Sequence, residues 1–352
     1  MRLLVTGAAG FIGTNFVRHT LARPAGDVDR LVAVDLLTYA GNYANLADLE
    51  SDARFRFVRL DVAEGEAVAA VVADERPDAI VHFAAETHVD RSITDHRPFL
   101  RSNVEGTIAL LESVRARPGF RRFVHVSTDE VYGSIAEGRA REDWPLRPSS
   151  PYAASKAAAD GFVLAYAATY GVPAVVTRCS NNYGPYQFPE KLIPLFVTNA
   201  LDGLPLPLYG DGMNVRDWIH VEDHVAALWH VLSLEDREPQ IYNVSAENEV
   251  PNRAVTERIL TLVGRPASLV RYVTDRPGHD RRYALDSTRL RSTGWQPRRM
   301  FEDGLAATVA WYREQRPWWE AVKSGVYRTY YDAMYGRRLR TSQEAPQEPD
   351  RR

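Results

Sequence analysis

The chain has 352 residues, with 43 basic and 46 acidic side chains, a formal net charge of −3 and 45% hydrophobic residues. That length allows two domains, or one with a smaller companion, and the composition is that of an ordinary globular protein. The near balance of charge leaves no broad basic field, which excludes nucleic acid as a favoured partner. The one cysteine, Cys179, excludes an intramolecular disulfide and fits a reducing compartment. No apolar run approaches the ~20 residues a membrane span needs, so no membrane is expected. The apolar start is broken by glycines and does not read as a signal peptide, so the expected location is cytoplasmic.

Residues Arg2 to Thr6 read as a short strand running into Gly7-Ala8-Ala9-Gly10-Phe11-Ile12-Gly13 and an amphipathic helix through about Leu21. In that context glycines permit a tight turn and let a pyrophosphate approach the helix N-terminus. The spacing is Gly-x-x-Gly-x-x-Gly, a departure from the commoner Gly-x-Gly-x-x-Gly. A second strand, Arg30 to Val34, ends in Asp35, about 20 residues past the last glycine, where an acid hydrogen-bonds the adenosine ribose. A carboxylate there repels a 2′-phosphate, which favours NAD over NADP.

The third strand, Phe55 to Leu60, leads to Asp61-Val62, placed to flank an adenine, and a helix from about Glu64 to Ala73. The fourth, Ala79 to Phe83, opens into Ala84-Ala85-Glu86-Thr87-His88-Val89-Asp90-Arg91-Ser92. Its small residues let the backbone lie against a cofactor. His88 and Asp90 lack the companions of a metal site, and no metal is expected. A helix from about Pro98 to Arg115 carries Ser102, Asn103 and Gly106. The fifth strand, Phe123 to Val126, delivers Ser127-Thr128-Asp129-Glu130-Val131-Tyr132-Gly133, and after a proline-bearing loop comes Tyr152-Ala153-Ala154-Ser155-Lys156 on a helix.

Ligands bind outside the carboxyl ends of the strands in such sheets, so Thr128, Asp129 and Glu130 fall at the rim of a crevice. Tyr152 and Lys156 share a helix face. A lysine cation beside a phenol favours the phenolate and lowers a pKa that is ordinarily about 10. Tyr152 then serves as a base for a substrate hydroxyl while a hydride leaves the same carbon. Asp129 and Glu130 can divide the roles of acid and base. Tyr-x-x-x-Lys alone is as well explained by a chance helix pair, and the acids by a solvated loop; the flanking context carries the weight.

The sixth strand, Ala174 to Arg178, ends at Cys179-Ser180-Asn181-Asn182-Tyr183-Gly184-Pro185. The alternation of strand and helix predicts an α/β fold with a doubly wound parallel, Rossmann-type sheet. Prolines and glycines thicken from Pro185 to Gly212, predicting a loop-rich substrate region. There and beyond, Lys191, Arg216, Arg276 and Tyr283 suit a diphosphate and a stacked base. Val221 to Leu234 reads as a helix and Ile241 to Val244 as a strand, both returning to the first domain. The expected division is 1–180 plus about 217–248 for the cofactor, and about 181–216 plus 249–330 for the substrate in a smaller C-terminal domain. A final helix runs from Phe301 to Glu314, and from about residue 337 to 352 the composition reads as disordered. There is no internal repeat.

With these motifs assembled, the sequence resembles the extended short-chain dehydrogenase/reductase family and, within it, the dTDP-glucose 4,6-dehydratases, from Gly7 to about Tyr331. The resemblance rests on Thr38-Tyr39-Ala40-Gly41-Asn42, the Ala84–Ser92 and Ser127–Gly133 blocks, Tyr152 with Lys156, the run from Asn181 to Lys191, Asn214-Val215-Arg216-Asp217-Trp218, and Asp275-Arg276-Pro277-Gly278-His279-Asp280. The Asp-Glu pair after Thr128 is the discriminating mark, because sugar-nucleotide epimerases of similar fold generally lack it.

The resemblance implies a lyase using NAD and a sugar nucleotide, and a homodimer paired through the helices near Pro98–Arg115 and Pro151–Tyr170. It implies conversion of dTDP-glucose to a 4-keto-6-deoxy sugar nucleotide with loss of water. Tyr152 takes the 4-hydroxyl proton, Glu130 the C5 proton, and Asp129 protonates the departing C6 hydroxyl. Thr128 bonds the 4-hydroxyl and Lys156 the nicotinamide ribose. Implied cofactor contacts are Gly7, Gly10, Phe11, Ile12, Gly13, Asp35, Leu36, Leu37, Thr38, Asp61, Val62, Ala84, Ala85, Thr87, Ser102, Ser127, Tyr152 and Lys156. Implied substrate contacts are Glu86, Thr87, His88, Thr128, Asp129, Glu130, Lys191, Leu192, Pro207, Tyr209, Arg216, Asn252, Arg276 and His279. Asn181 and Asn182 are divided between the two ligands.

Leu36 departs from relatives with a charged residue there, Thr87 from a frequent serine, and Met213 sits in the loop framing the nucleotide, leaving thymidine and uridine both open. Competing readings are a sugar-nucleotide epimerase, a decarboxylase or a UDP-sugar dehydratase of the same fold. A non-catalytic NAD or sugar-nucleotide binder is a further alternative, against which the intact catalytic set argues.

Overall fold

A computed structural model describes residues 1–235, 240–324, 326–336 and 338–339. Along the chain the strands are β1 (Arg2–Thr6), β2 (Arg30–Asp35), β3 (Phe55–Arg59), β4 (Ala79–His82), β5 (Arg122–Thr128), β6 (Ala174–Cys179), β7 (Asn181–Tyr183), β8 (Leu206–Tyr209), β9 (Val215–His220), β10 (Gln240–Val244), β11 (Glu249–Pro251) and β12 (Val270–Val273). A seven-stranded sheet has the order β10-β6-β5-β4-β1-β2-β3. Every neighbouring pair in it is parallel. The order reverses between β1 and β4, which opens a crevice at the carboxyl ends, the usual ligand position in such a sheet.

The central strands read as near-continuous apolar runs because both faces are covered. Every residue of β4, β5 and β6 is buried. The helices are α1 (Phe11–Leu21), α2 (Gly65–Glu75), α3 (Val89–Thr94), α4 (Arg97–Phe99), α5 (Gly106–Val114), α6 (Pro151–Tyr170), α7 (Leu192–Asp202), α8 (Val221–Ser233), α9 (Asn252–Val263), α10 (Thr288–Ser292), α11 (Phe301–Glu314), α12 (Arg316–Val322) and α13 (Val326–Tyr331). One face of the sheet packs on α1 and α8 through Phe16, Val17, Leu228 and Trp229. The other packs on α2, α5 and α6 through Val68, Val72, Leu110, Leu111 and Val163.

The helix expected from Pro98 to Arg115 is interrupted: between α4 and α5, Leu100–Glu105 is wound as a π-helix. Such a widened turn recurs at functional sites. Here it carries Asn103, which accepts from Glu86 N at 2.8 Å and donates to Glu86 O at 3.0 Å and Ser155 Oγ at 2.8 Å. Asn103 thus fastens the Ala84–Ser92 loop to the helix bearing Tyr152.

The region expected to be loop-rich contains α7, nearly all of it buried. Leu-Ile-Pro-Leu-Phe-Val-Thr-Asn-Ala-Leu has no polar stripe because it is covered all round, so the amphipathic signal is missing. Pro194 lies in its first turn, where a proline is tolerated. With β8, α9, α11 and Trp319, α7 builds a second core around Phe196, Leu208, Ile259 and Leu305. The helix ending at Glu314 is followed by α12 and α13 rather than closing the fold. Of the expected tail, Arg338 donates to the Tyr209 hydroxyl at 2.5 Å and Leu339 packs at the edge of the second core. Residues 337 and 340–352 lie outside the described residues. Among the described residues no helix is long and apolar enough to cross a membrane.

Candidate active site

The carboxyl ends of the strands open into a cleft of about 580 Å³ that runs from the glycine turn after β1 to the second core. Gly7 has φ +65°, and a Cβ there would lie 2.6 Å from Ala84 N. A Cβ on Gly13 would strike the Gly7 carbonyl, so only glycine lets α1 start this close to β1. At the end of β2, Asp35 accepts from Ala9 N at 2.9 Å and Leu37 N at 2.8 Å. Burial raises its pKa while those backbone bonds oppose the rise. Leu37, expected to touch the cofactor, has φ 60°; its N–H donates to Asp35, and its side chain packs on the core rather than lining the cleft. Every other expected cofactor and substrate residue borders the cleft.

Thr128 ends β5 and caps the 3₁₀ turn Asp129–Tyr132. Its hydroxyl accepts from Glu130 N at 3.3 Å and donates to Asp129 Oδ1 at 3.2 Å. Helix α6 starts at Ser150, whose side chain accepts from Ala153 N at 3.1 Å, with Pro151 at the first position. Both features fix the register of Tyr152 against β5.

The two carboxyl groups have different surroundings. Burial, then the Glu130 and Asp217 charges, push Asp129 well above the usual carboxylate range. Glu130 is also raised by burial, but Arg276, Lys191 and Arg216 pull it back. Asp129 is therefore the better proton donor and Glu130 the better base. Lys191 Nζ donates to Thr87 O at 2.9 Å, and Arg276 pairs with Asp90 at 3.2 Å. Arg216 lies over the Tyr283 ring at 4.4 Å.

The expected help from Lys156 to the phenol is not the dominant influence. Burial, then the Glu130 charge, raise Tyr152 well above 10, and the Thr128 hydroxyl within hydrogen-bonding reach opposes this. Burial also takes the Lys156 ammonium down to about 8. Lys156 donates to Val126 O at 2.8 Å and lies 3.3 Å from His125 Nε2.

Several cleft atoms are buried without a hydrogen-bond partner among the described residues: Asp129 Oδ2, Ser180 Oγ, Asn181 Oδ1, Asn252 Oδ1 and Arg276 Nε. Such groups are rare in folded proteins unless a ligand meets them. Together with the glycine cradle and Asp35, they fit a dinucleotide on the sheet side and a polar substrate opposite. No cluster that could hold a metal ion occurs among the described residues.

A family model described as GDP-mannose 4,6 dehydratase matches residues 4–308. The dTDP-glucose 4,6-dehydratase of Streptomyces niveus is 52% identical, covering 92% of this chain and 96% of its own. The chain belongs to the dTDP-glucose 4,6-dehydratase family. The dTDP-glucose 4,6-dehydratase of Streptomyces venezuelae, solved with NAD bound, has a TM-score of 0.88 and 53% identity, covering 92% of this chain and all (100%) of that one. A UDP-glucose 4-epimerase from Thermus thermophilus also aligns, at TM-score 0.81 and 35% identity over 90% of this chain and 100% of that one. The scaffold is thus common to both chemistries.

Two parts of this dehydratase-family site escaped the sequence reading. The first lies behind Lys156, where Asp160 Oδ2 accepts from Arg178 Nε at 2.9 Å and Oδ1 lies 3.6 Å from His125 Nε2. Asp160 continues the Tyr152–Lys156 helix face by one more turn, a spacing that could have found it. The second is Glu190, held by the Tyr39 hydroxyl at 3.1 Å and raised by burial to about 7. Tyr39 sits 151 positions away in sequence, so local spacing carries no signal for the pair.

Proposed function

We propose that this chain is a lyase that dehydrates dTDP-glucose to the 4-keto-6-deoxy sugar nucleotide, using NAD that is regenerated in each cycle. The observation that carries this reading is the Asp129–Glu130 pair, Asp129 buried and Glu130 half-buried, one carboxyl environment favouring the acid and the other the base, in one cleft with Tyr152 and Lys156. Epimerisation at C4 needs no acid for a departing hydroxyl. Bound NAD supplies a hydride acceptor for C4 and a hydride donor for C6. Gly7, Gly10, Gly13 and Asp35 would hold its adenosine end, and Lys156 its nicotinamide ribose.

The chain's own groups move the protons. Tyr152 takes the proton of the 4-hydroxyl, which Thr128 orients. The resulting ketone acidifies C5, and Glu130 removes that proton. Asp129 protonates the C6 hydroxyl, which leaves as water, and Glu130 returns its proton to C5. Lys191, Arg216 and Arg276 neutralise the diphosphate, and Pro207, Tyr209 and His279 line the end nearest the base. The substrate is thereby assigned to the part built on the second core, and NAD to the main sheet.

Leu100, Phe162 and Tyr170 are exposed on the π-helical segment and on α6, at 47%, 40% and 48%. Large exposed apolar residues on neighbouring helices support a homodimer formed there. The buried free Cys179 is in keeping with a cytoplasmic enzyme. The direct test is mass spectrometry of products from dTDP-glucose and UDP-glucose, offered separately. Loss of one water from dTDP-glucose with no net reduced cofactor is expected. Turnover of UDP-glucose alone would overturn the base, and an isomer of unchanged mass would overturn dehydration.

A further inference from the structure

We propose that the C-terminal segment builds the outer wall of the nucleotide pocket: Tyr335 packs against the nucleoside, and Arg338 positions Tyr209 and, through Asp90, the arginine that meets the diphosphate. This rests on the sugar-nucleotide reading above. Neither Tyr335 nor Arg338 falls within residues 4–308, the part that the family model matches.

Tyr327, Tyr331 and Tyr335 are four apart, so on a helix they share one face, and Arg338 follows three residues on. Helix α13 and the π-helical turn Asp332–Gly336 carry them. Their rings lie in series, 6.2 Å from Tyr327 to Tyr331 and 5.1 Å from Tyr331 to Tyr335. The series is tied down along its length. The Tyr327 hydroxyl donates to Pro189 O at 3.0 Å, and Asn199 Nδ2 donates to the Tyr331 hydroxyl at 3.2 Å. Met334 and Leu339 pack on the second core. Tyr335 belongs to that core, is 5% exposed, and also borders the cleft with Pro207, Tyr209 and His279. Its ring lies 6.1 Å from that of Tyr209.

Arg338 enters the site through Tyr209. Its Nη1 donates to the Tyr209 hydroxyl at 2.5 Å, and its guanidinium lies 5.0 Å from the ring centre. A guanidinium has no acceptor, so the hydroxyl's own proton turns to Asp90 Oδ2, 3.2 Å away. Asp90 Oδ1 accepts in turn from Arg276 Nη1 at 3.2 Å. Asp90 is 6% exposed, so these donors, more than water, meet its charge. A cation donating to the phenol oxygen strengthens the phenol as a donor in such a chain. Arg338 thereby holds Asp90 in place. Asp90 in turn steadies Arg276, whose Nε is buried in the cleft without a partner among the described residues and is left for the diphosphate.

The test is calorimetric titration of the NAD-loaded full chain with dTDP. The proteins are the wild type, Arg338→Met, Arg338→Lys, Tyr335→Leu, Tyr209→Phe, and Arg338→Met combined with Tyr209→Phe. Arg338 is half-buried, so its replacement leaves the second core intact. In Arg338→Met the dTDP affinity should fall about tenfold, the scale of a lost charged hydrogen bond, and Arg338→Lys should recover most of it. On Tyr209→Phe, which has no hydroxyl to hold, the same change should cost less than about twofold. Tyr335→Leu should weaken dTDP several-fold through the lost ring contact. NAD, titrated into each protein freed of it, should bind as it does to the wild type, because the segment lies at the other end of the cleft. Wild-type dTDP affinity in Arg338→Met or Tyr335→Leu would overturn the inference. An equal loss with and without the Tyr209 hydroxyl would refute the path through Tyr209. Loss of NAD binding in step with dTDP would make the segment a structural brace and no part of the pocket. A wild type that binds no dTDP would instead overturn the dTDP-glucose reading and this inference with it.

Discussion

Lys156 allows a prediction in which stability and activity move apart. Its ammonium is buried, and desolvation takes its pKa from 10.5 to about 8 against opposing pulls from Asp160 and Cys179. A shift of that size, at about 1.4 kcal/mol per unit, means the folded protein carries about 3 kcal/mol of unfavourable free energy at neutral pH. Replacing the lysine by methionine removes this cost and keeps the apolar stem. It also leaves Val126 O, now bonded at 2.8 Å, without its donor. Loss of that bond costs about 1.5–3 kcal/mol, so the two effects nearly cancel at pH 7 and the absolute difference decides little.

The pH dependence does decide. Below about pH 8 the lysine is charged in both folded and unfolded chains, and the full cost is present. Between about 8 and 10.5 the unfolded chain holds the proton more tightly, so the cost fades as pH rises. From pH 7 to pH 9.5 the wild type should gain about 2 kcal/mol on Lys156→Met. Chemical unfolding of both proteins, freed of NAD and measured at the two pH values, reads this difference, and titrations common to both cancel. A difference that stays constant with pH would refute the view that a desolvated cation sits behind Tyr152. Turnover by Lys156→Met should fall on the order of a hundredfold even where its stability matches that of the wild type.

Glu130→Gln should let the reduced-nicotinamide absorbance rise when dTDP-glucose is added, while product formation falls by on the order of 10²–10⁴; unchanged product formation would end its role as the C5 base. Gly41→Ala would put a Cβ 2.7 Å from Asp35 Oδ1 and 3.1 Å from Leu37 Cα, displacing the ribose acid. NAD affinity should drop about tenfold, or roughly 1.4 kcal/mol, by calorimetric titration, and an unchanged affinity would place the ribose elsewhere. Phe162→Asp puts a charge on the exposed face of α6. It should convert a dimer to monomer in light scattering, and a wild type that is already monomeric would refute that interface.

The sequence by itself determined the cofactor half. Gly7, Gly10, Gly13 and Asp35 stand at fixed offsets from a strand because a phosphate turn and a ribose contact are both local geometry. Tyr152 and Lys156 were readable for the same reason, since one helical turn fixes their common face. The Asp129–Glu130 pair was visible as chemistry, and the family resemblance named Asp129 the acid, whereas spacing alone left the two roles open. Lys191, Arg216 and Arg276, arriving from distant segments and acting through charge across the cleft, are what pull Glu130 back while burial raises both carboxyls. Tertiary structure also decided that α7 is a helix, because a segment covered on all sides carries no stripe to read. It turned Lys156 toward the Val126 carbonyl and set the Thr128 hydroxyl against Asp129. Spacing along a chain fixes what one element presents, whereas burial and long-range charge, which set proton affinities, exist only once the elements are packed together.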